Sequence, residues 1–585
     1  MVAYSTGLSY SLATIRLRAL SGPHAKPTAC ARPGNDSCAH PMTRPLRTAR
    51  TAFASLLVCS LGFAITGVLV PGRLYAQTSG APLDPKNALA SRIDAIVDRP
   101  EYRHAFFGIE IMSLDTHEPI YQLNADKFFV PGSTTKLLTE GTVLELLGAD
   151  HRFRTRVYRT GPVHRDGTLD GDLVLVAAGD PDLSNRVQPD GSLAFENEDH
   201  SYGGSPDTRA VPGDPLQVLR ELAHQVRQRG ISAVRGSVIV DASLFPEGDR
   251  ELGTGVVISP IVVNDNVVDV TVAPGKTPGH SVTLHESPET PYVRFVNRAT
   301  TSVRDSSPNI NWASDSTAPD GSHVVVVTGT VPIGKPGILF SWPVDEPTRF
   351  AEVSFAQALG AEGVRARAIA PGGRPDIAAL ARGYADSMVV AEHVSPPLAE
   401  EVKVTLKVSQ NLHASMGPFL LGALVAHEGT AKAGFAEERR FLTQGGLDLS
   451  GASQSDGAGG SAHFTPDFMV HFLAYMAAQK DFPLYYAALP VLGRDGTLWN
   501  VQVASPAAGH VHAKTGTYER DDLLNDMMMV DGKGLAGYMT TADGRRLVFA
   551  IYANNVAAGT DPDAITRGVG QALGEIAAAA YGVAP

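Results

Sequence analysis

The stretch Val130-Pro131-Gly132-Ser133-Thr134-Thr135-Lys136-Leu137-Leu138 decides how this chain is read. Pro-Gly closes an extended run, Ser133 stands at the head of a segment whose apolar spacing is helical as far as Leu147, and Lys136 follows one turn later. Positions i and i+3 of a helix share a face, so the amine can reach the serine hydroxyl, and a helix N-terminus favours negative charge developing there. A lysine can activate such a serine if its amine is neutral at working pH, which burial or a second nearby cation would bring about. Alone, Ser-x-x-Lys is weak: a chain this long contains it by chance about once, and on that evidence a helix cap beside a surface lysine is the stronger reading.

Upstream, residues 87–97 carry Leu89, Ile93, Ile96 and Val97 on one helical stripe, and two strands at 106–113 and 119–123 flank the turn Asp115-Thr116-His117-Glu118. Downstream, from about 155 to 399, short β-type runs at 172–176, 237–240, 267–272 and 324–327 alternate with Gly, Asp and Pro, as in an all-β or mixed insertion. Residues 402–408 (Val-Lys-Val-Thr-Leu-Lys-Val) alternate as a strand, and 418–427 read as a helix. A strand at 511–514, a hairpin over 537–554 turning at Asp543-Gly544, and an alanine-rich helix over 564–580 complete the chain. The two ends share one α/β style, with the middle inserted between them.

Two further polar triplets fall in the C-terminal part. Ser409-Gln410-Asn411 follows the expected strand, so its Ser and Asn would face one side, a hydroxyl to relay a proton and an amide to hold a carbonyl; by itself it is an ordinary polar turn. Lys514-Thr515-Gly516-Thr517 closes a strand, offering a cation and hydroxyls, with a glycine that would let a substrate lie close.

Taken together and in this order, Ser-x-x-Lys, Ser-x-Asn and Lys-Thr-Gly resemble the motif set of penicillin-binding proteins and serine β-lactamases. The 276-residue gap from Ser133 to Ser409 exceeds what a simple β-lactamase fold needs and coincides with the β-rich insertion. The chain therefore resembles the D-alanyl-D-alanine carboxypeptidase/endopeptidase family of class C low-molecular-mass penicillin-binding proteins, peptidase family S13. Supporting stretches over roughly residues 90–580 include Gly179-Asp180-Pro181, Val263-Asn264-Asp265-Asn266, Asp495-Gly496-Thr497-Leu498 and Gly537-Tyr538. Two departures stand out: Ala458 in Asp456-Gly457-Ala458-Gly459, where the family usually shows serine, and Ser415, where glutamate is common.

The resemblance implies an α/β (α+β) fold with a penicillin-binding/serine β-lactamase-like core, an antiparallel sheet with flanking helices, and two nested, mainly β inserted domains. The implied division is 85–154 with 400–585 for the catalytic domain, 155–175 with 247–399 for inserted domain II, and 176–246 for nested domain III. The implied activity is that of a serine D,D-peptidase, carboxypeptidase or endopeptidase, acting on peptidoglycan stem peptides through an acyl-enzyme and inhibited by β-lactams. Ser133 would be the nucleophile, Lys136 the base for acylation, and Ser409 with Lys514 the proton path to the leaving amine. Asn411 would hold the acyl side chain, Lys514, Thr515, Gly516 and Thr517 the terminal carboxylate side, and the amides of Ser133 and Thr517 the oxyanion. No cofactor or metal is implied. The alternatives are a serine β-lactamase, which deacylates fast from the penicilloyl state, and a silent peptidoglycan-binding protein, against which the intact triplets speak.

Composition narrows the remaining classes. With 43% hydrophobic and 19% charged residues among 585, the chain can bury a large core and is not a disordered protein. Its net charge of −12 offers no field for a phosphate backbone, so nucleic acid is not an expected partner. There is no Gly-x-Ser-x-Gly elbow and no His-Glu-x-x-His, and the 18 histidines form no ligand-spaced cluster in sequence. His413, His427, His510 and His512 near the motifs read as structural or exposed.

The first 76 residues differ from the rest, holding eight Lys/Arg and one acid, Asp36, and leaving the body with 41 basic and 60 acidic residues. Basic residues after Met42, an apolar run over 51–70 and Pro71-Gly72 ahead of Ala76 read as an export signal around 42–76, giving a periplasmic protein; a retained membrane anchor is the alternative. Residues 1–41 resemble neither signal nor domain, as expected if the start codon lies further downstream. Cys30, Cys38 and Cys59 all precede the cleavage point, so a mature chain would have no disulfide, catalytic thiolate or Cys-bound zinc. Peripheral membrane association is compatible with this reading.

Overall fold

The computed structural model describes residues 85–373, 375–559 and 565–582, so the expected export signal lies outside the described residues. The terminal parts of this range build one sheet. Helix α1 (Pro85–Val97) leads to strands β1 (Phe106–Ser113) and β2 (Pro119–Leu123), then to a 3-10 turn at Gly132–Thr135 and helix α2 (Lys136–Leu147). After the insertion come helices α3 (Leu398–Val408), α4 (Asn411–Leu424) and α5 (Pro466–Ala477), strands β3 (Val511–Asp522), β4 (Met527–Thr540), β5 (Arg546–Asn554) and β6 (Val556–Gly559), and helix α6 (Gln571–Tyr581). The sheet runs β3-β4-β5-β1-β2, with β6 paired to β4, and Phe107 opposite Ala553 joins the two ends of the chain.

Strand β5 shows why this sheet reads as a continuous apolar run. Val548, Ala550 and Tyr552 point into the core shared with α2, α4 and α5, while Phe549, Ile551 and Ala553 point into the core shared with α1 and α6. Both faces are covered, so both phases of the two-residue period must be apolar.

Three expected elements are corrected. Residues 402–408 are helical, part of α3, and not a strand. Their alternation is misleading because α3 is buried nearly all round, and the apparently polar Lys407 is 5% exposed, donating to the Leu489 carbonyl at 2.7 Å and to Asp495 at 2.8 Å. Pro397 immediately before the helix, with Glu400 and Glu401 in its first turn, is the start signal that the alternation obscured. Helix α4 begins at Asn411, seven residues before Pro418, which lies inside it. The final helix begins at Gln571, after a π-helical turn at Thr566–Gly570.

The inserted stretch is mixed. A four-stranded sheet orders Val389–Val394, Arg154–Arg159, Leu173–Val176 and Val238–Asp241. Helices Gln217–Gln228 and Pro347–Ala361 belong to the same hydrophobic core as its strands, and two further small sheets, of four and three strands, lie between residues 267 and 343. Strand 238–241 pairs in parallel with 173–176, so the expected boundary at 175/176 passes through a shared sheet. No helix among the described residues is long and apolar enough to cross a membrane.

Candidate active site

Ser133 lies in the 3-10 turn that runs directly into α2, and Lys136 is the first residue of that helix. The turn is pressed against β3. Gly132 has φ +52°, and a Cβ there would stand 2.5 Å from the Thr517 backbone nitrogen, so glycine is required both for the backbone conformation and for the contact. Gly516 has a similar role: the space of its missing side chain is taken by the Pro131 carbonyl. It admits the serine-bearing turn, which corrects the expectation that it leaves room for substrate.

The Lys136 amine has no solvent exposure and meets four oxygens: Ser133 Oγ at 2.7 Å, Asn411 Oδ1 at 2.7 Å, Ser409 Oγ at 3.3 Å and the Ala458 carbonyl at 3.3 Å. Burial lowers it to about 7, against the opposing pull of Glu251, Asp456 and Glu140. An amine poised there is substantially neutral at physiological pH and can accept the Ser133 proton. Burial, rather than the second lysine, dominates that shift. Lys514, equally buried, is held well below the usual lysine range by burial and then by Lys136 and Lys533. Its amine donates to Ser409 Oγ at 2.8 Å and to the Thr515 carbonyl at 2.9 Å. Ser409 thus bridges the two lysines.

Ser409 and Asn411 reach this centre by a different route from the expected strand. Ser409 ends α3 in the left-handed conformation, φ 65°, and Asn411 opens α4, so the triplet is the corner between two helices. Side chains from the insertion hold that corner. The Tyr202 hydroxyl donates to the Ser409 carbonyl, Gln410 Nε2 donates to Ser201 Oγ at 3.1 Å, and His413 Nε2 is 2.8 Å from Asp265 Oδ1. His413 is therefore a buried, ion-paired histidine: burial alone would lower its pKa, but Asp265 and Glu401 raise it to about 10.

The loop at 456–461, whose sequence carries no signal of a role, closes the other wall. Asp456 accepts from the amides of Ala458, Gly459, Gly460 and Ser461 at 2.6–3.0 Å, fixing a turn whose Ala458 carbonyl faces Lys136. The contact uses the main chain, so alanine in place of the family's usual serine leaves it intact. Ser415 is buried within α4. Thr515 and Thr517 line the same cleft as Ser133, Ser409 and Asn411, together with Tyr202, Glu251 and Leu252. Tyr202 and Lys533, whose amine bonds Thr517, carry no local sequence signal; only the fold brings them here.

A second polar cluster lies behind α4. Asp199 and His200, with Asp265 from 65 residues further along, have the donor types of a metal site, but the Arg186 guanidinium contacts both carboxylates.

A serine and lysine at the head of a helix, a Ser-x-Asn corner and a Lys-Thr-Gly strand converging in one cleft define the class of penicillin-binding serine acyl enzymes. The model of the D-Ala-D-Ala carboxypeptidase 3 (S13) family matches residues 89–574. The chain is 29% identical over 562 residues to the D-alanyl-D-alanine carboxypeptidase of Actinomadura sp. (strain R39), covering 91% of this chain and 93% of that protein. It is 23% identical over 466 residues to the D-alanyl-D-alanine carboxypeptidase DacB of Haemophilus influenzae, covering 77% and 86%. The crystal structure of penicillin binding protein 4 (dacB) from Haemophilus influenzae superposes with a TM-score of 0.63 at 20% identity, covering 84% of this chain and 99% of that one. The chain belongs to the D-Ala-D-Ala carboxypeptidase 3 (S13) family and is a serine-type peptidase of the cell wall.

Proposed function

We propose that this enzyme cleaves the bond between two terminal D-alanines of peptidoglycan stem peptides with Ser133 as nucleophile and Lys136 as base. The observation that carries the assignment is the 2.7 Å contact between the Lys136 amine and Ser133 Oγ, with that amine fully buried and lowered to about 7. Lys136 takes the hydroxyl proton as Ser133 Oγ attacks the carbonyl carbon, and the amides of Ser133 and Thr517 receive the oxyanion. Collapse of the adduct expels D-alanine, whose nitrogen receives a proton through Ser409, the hydroxyl shared by Lys136 and Lys514. Water then attacks the acyl-enzyme and frees Ser133. Asn411 orients the acyl part, and Lys514, Thr515 and Thr517 accept the terminal carboxylate. A β-lactam carries a matching carboxylate and a strained amide, so it acylates Ser133 in the same way.

The nested two-domain division of the insertion and export to the periplasm by the 42–76 segment belong to the same reading. The test is D-alanine release from an acyl-D-Ala-D-Ala peptide by wild type and Ser133→Ala. Release abolished by the substitution, with a labelled penicillin that stays on the wild-type protein through denaturing electrophoresis, supports it. Release that survives the substitution refutes it, and rapid loss of the label with excess penicilloate indicates a β-lactamase.

A further inference from the structure

A third buried lysine stands beside the cleft. Lys533 is on β4 directly opposite Thr517 of β3, and directly paired residues of antiparallel strands put their side chains on the same face. Its side chain is 3% exposed and its amine donates to Thr517 Oγ1 at 2.7 Å; among the described residues it has no ion pair and no second hydrogen-bond partner. Lys514 and Gly516 occupy the other face of β3, where Lys514 donates to Ser409 and to the Thr515 carbonyl. The cation on the threonine side is therefore Lys533. Thr515, by contrast, has a neutral partner, Thr497 Oγ1 at 2.7 Å.

We propose that Lys533 is a positioning residue for the substrate's terminal carboxylate, acting through Thr517. A hydroxyl has one proton and two lone pairs. With an ammonium donating to one lone pair, the Thr517 proton is turned away from Lys533, and because Thr517 lines the cleft a substrate carboxylate there can accept it. The ammonium also adds positive charge one atom behind that hydroxyl, and a polarised donor binds an anion more strongly than a neutral one. Burial lowers Lys533 to about 8 against the opposing pull of Glu519, which lines the same cleft, so the amine remains mostly protonated at neutral pH. Selectivity for a free C-terminal carboxylate thus depends on a side chain that need not touch it.

The inference rests on the peptidase reading, and the experiment separates the two. Wild type, Lys533→Met, Lys533→Arg, Thr517→Val and the Lys533→Met/Thr517→Val double variant are assayed on an acyl-D-Ala-D-Ala peptide and on its C-terminal amide, with thermal midpoints recorded. Lys533→Met is expected to lose roughly 10- to 100-fold in kcat/KM on the acid, mostly through KM, and less than about threefold on the amide. Lys533→Arg should restore most of the preference, because it returns a charged donor. The double variant should be no worse than Thr517→Val. Equal losses on acid and amide, or single losses that multiply in the double variant, overturn the inference; should Lys533→Met fail to fold, Lys533→Arg and Thr517→Val decide it by whether preference is kept and lost respectively. Wild type inactive on both substrates refutes the peptidase reading itself, whereas active wild type with an unchanged preference in Lys533→Met refutes only the role of Lys533.

Discussion

Removing proton abstraction at Lys136 is the sharpest perturbation the site offers. Its amine is enclosed, meets four oxygens, and joins the nucleophile to both Ser409 and Asn411 of the Ser-x-Asn corner. A positioned general base supplies roughly 10²- to 10⁴-fold, or about 2.7 to 5.4 kcal/mol of barrier. Lys136→Ala should therefore lower the second-order rate of acylation by a fluorescent penicillin by that factor, and Lys136→Arg should fail nearly as badly, because a guanidinium keeps its proton at every accessible pH. In wild type the neutral form is required, so the rate should rise about tenfold per pH unit below 7 and level off above it, following the amine's value of about 7. Rapid-mixing fluorescence across pH 5 to 9, with thermal midpoints to exclude unfolding, reads both effects. An arginine variant that acylates at the wild-type rate, or a wild-type profile flat between pH 5 and 7, would refute proton abstraction by Lys136 and reduce it to electrostatic support.

Other outcomes follow from the same geometry. Gly132→Ala places a Cβ at positive φ against the Thr517 backbone, so penicillin labelling should fall at least about tenfold and the thermal midpoint should drop, reflecting a conformational cost of about 1–2 kcal/mol before the clash. Tyr202→Phe removes the tether on the Ser409 carbonyl and should slow acylation without a matching loss of stability, measured as labelling rate against midpoint. His413→Ala should destabilise by about 3 kcal/mol at pH 6, since it breaks a buried pair with Asp265. The folded pKa of His413 is raised to about 10, so its contribution is full below its unfolded value near 6.5 and fades as pH rises toward 10; the difference in melting temperature between wild type and variant should shrink over that window, and a difference independent of pH would show that His413 is not held as a cation.

Much of the site was legible because its chemistry is local. Ser133 and Lys136 lie within one turn of chain, and Lys514 to Thr517 lie on one strand, so spacing alone fixes their relation. The terminal sheet was legible in part: the strands at 106–113 and 119–123 and the 540–546 turn stand out, whereas the polar 515–522 and the methionine-rich start of β4 hid the longer β3–β4 hairpin. What failed was local pattern against tertiary burial. Residues 402–408 alternate like a strand, yet helix α3 is surrounded on nearly every side, and once Lys407 finds Asp495 and a carbonyl in the interior its polarity no longer marks a surface. The Ser-x-Asn geometry was misjudged with it, since a left-handed Ser409 leaves no periodic trace. Tyr202 and Lys533 were out of reach because each acts across an insertion or between strands, where only the three-dimensional register shows the contact.

The whole mechanism depends on acylation at Ser133 Oγ. Peptide mapping by mass spectrometry, after brief exposure of the purified protein to benzylpenicillin and proteolysis, tests it directly. A penicilloyl adduct is expected at one equivalent per chain, confined to the peptide that contains Ser133, absent from Ser133→Ala and suppressed by prior incubation with an acyl-D-Ala-D-Ala peptide. An adduct on any other residue, or full labelling of Ser133→Ala, would contradict it.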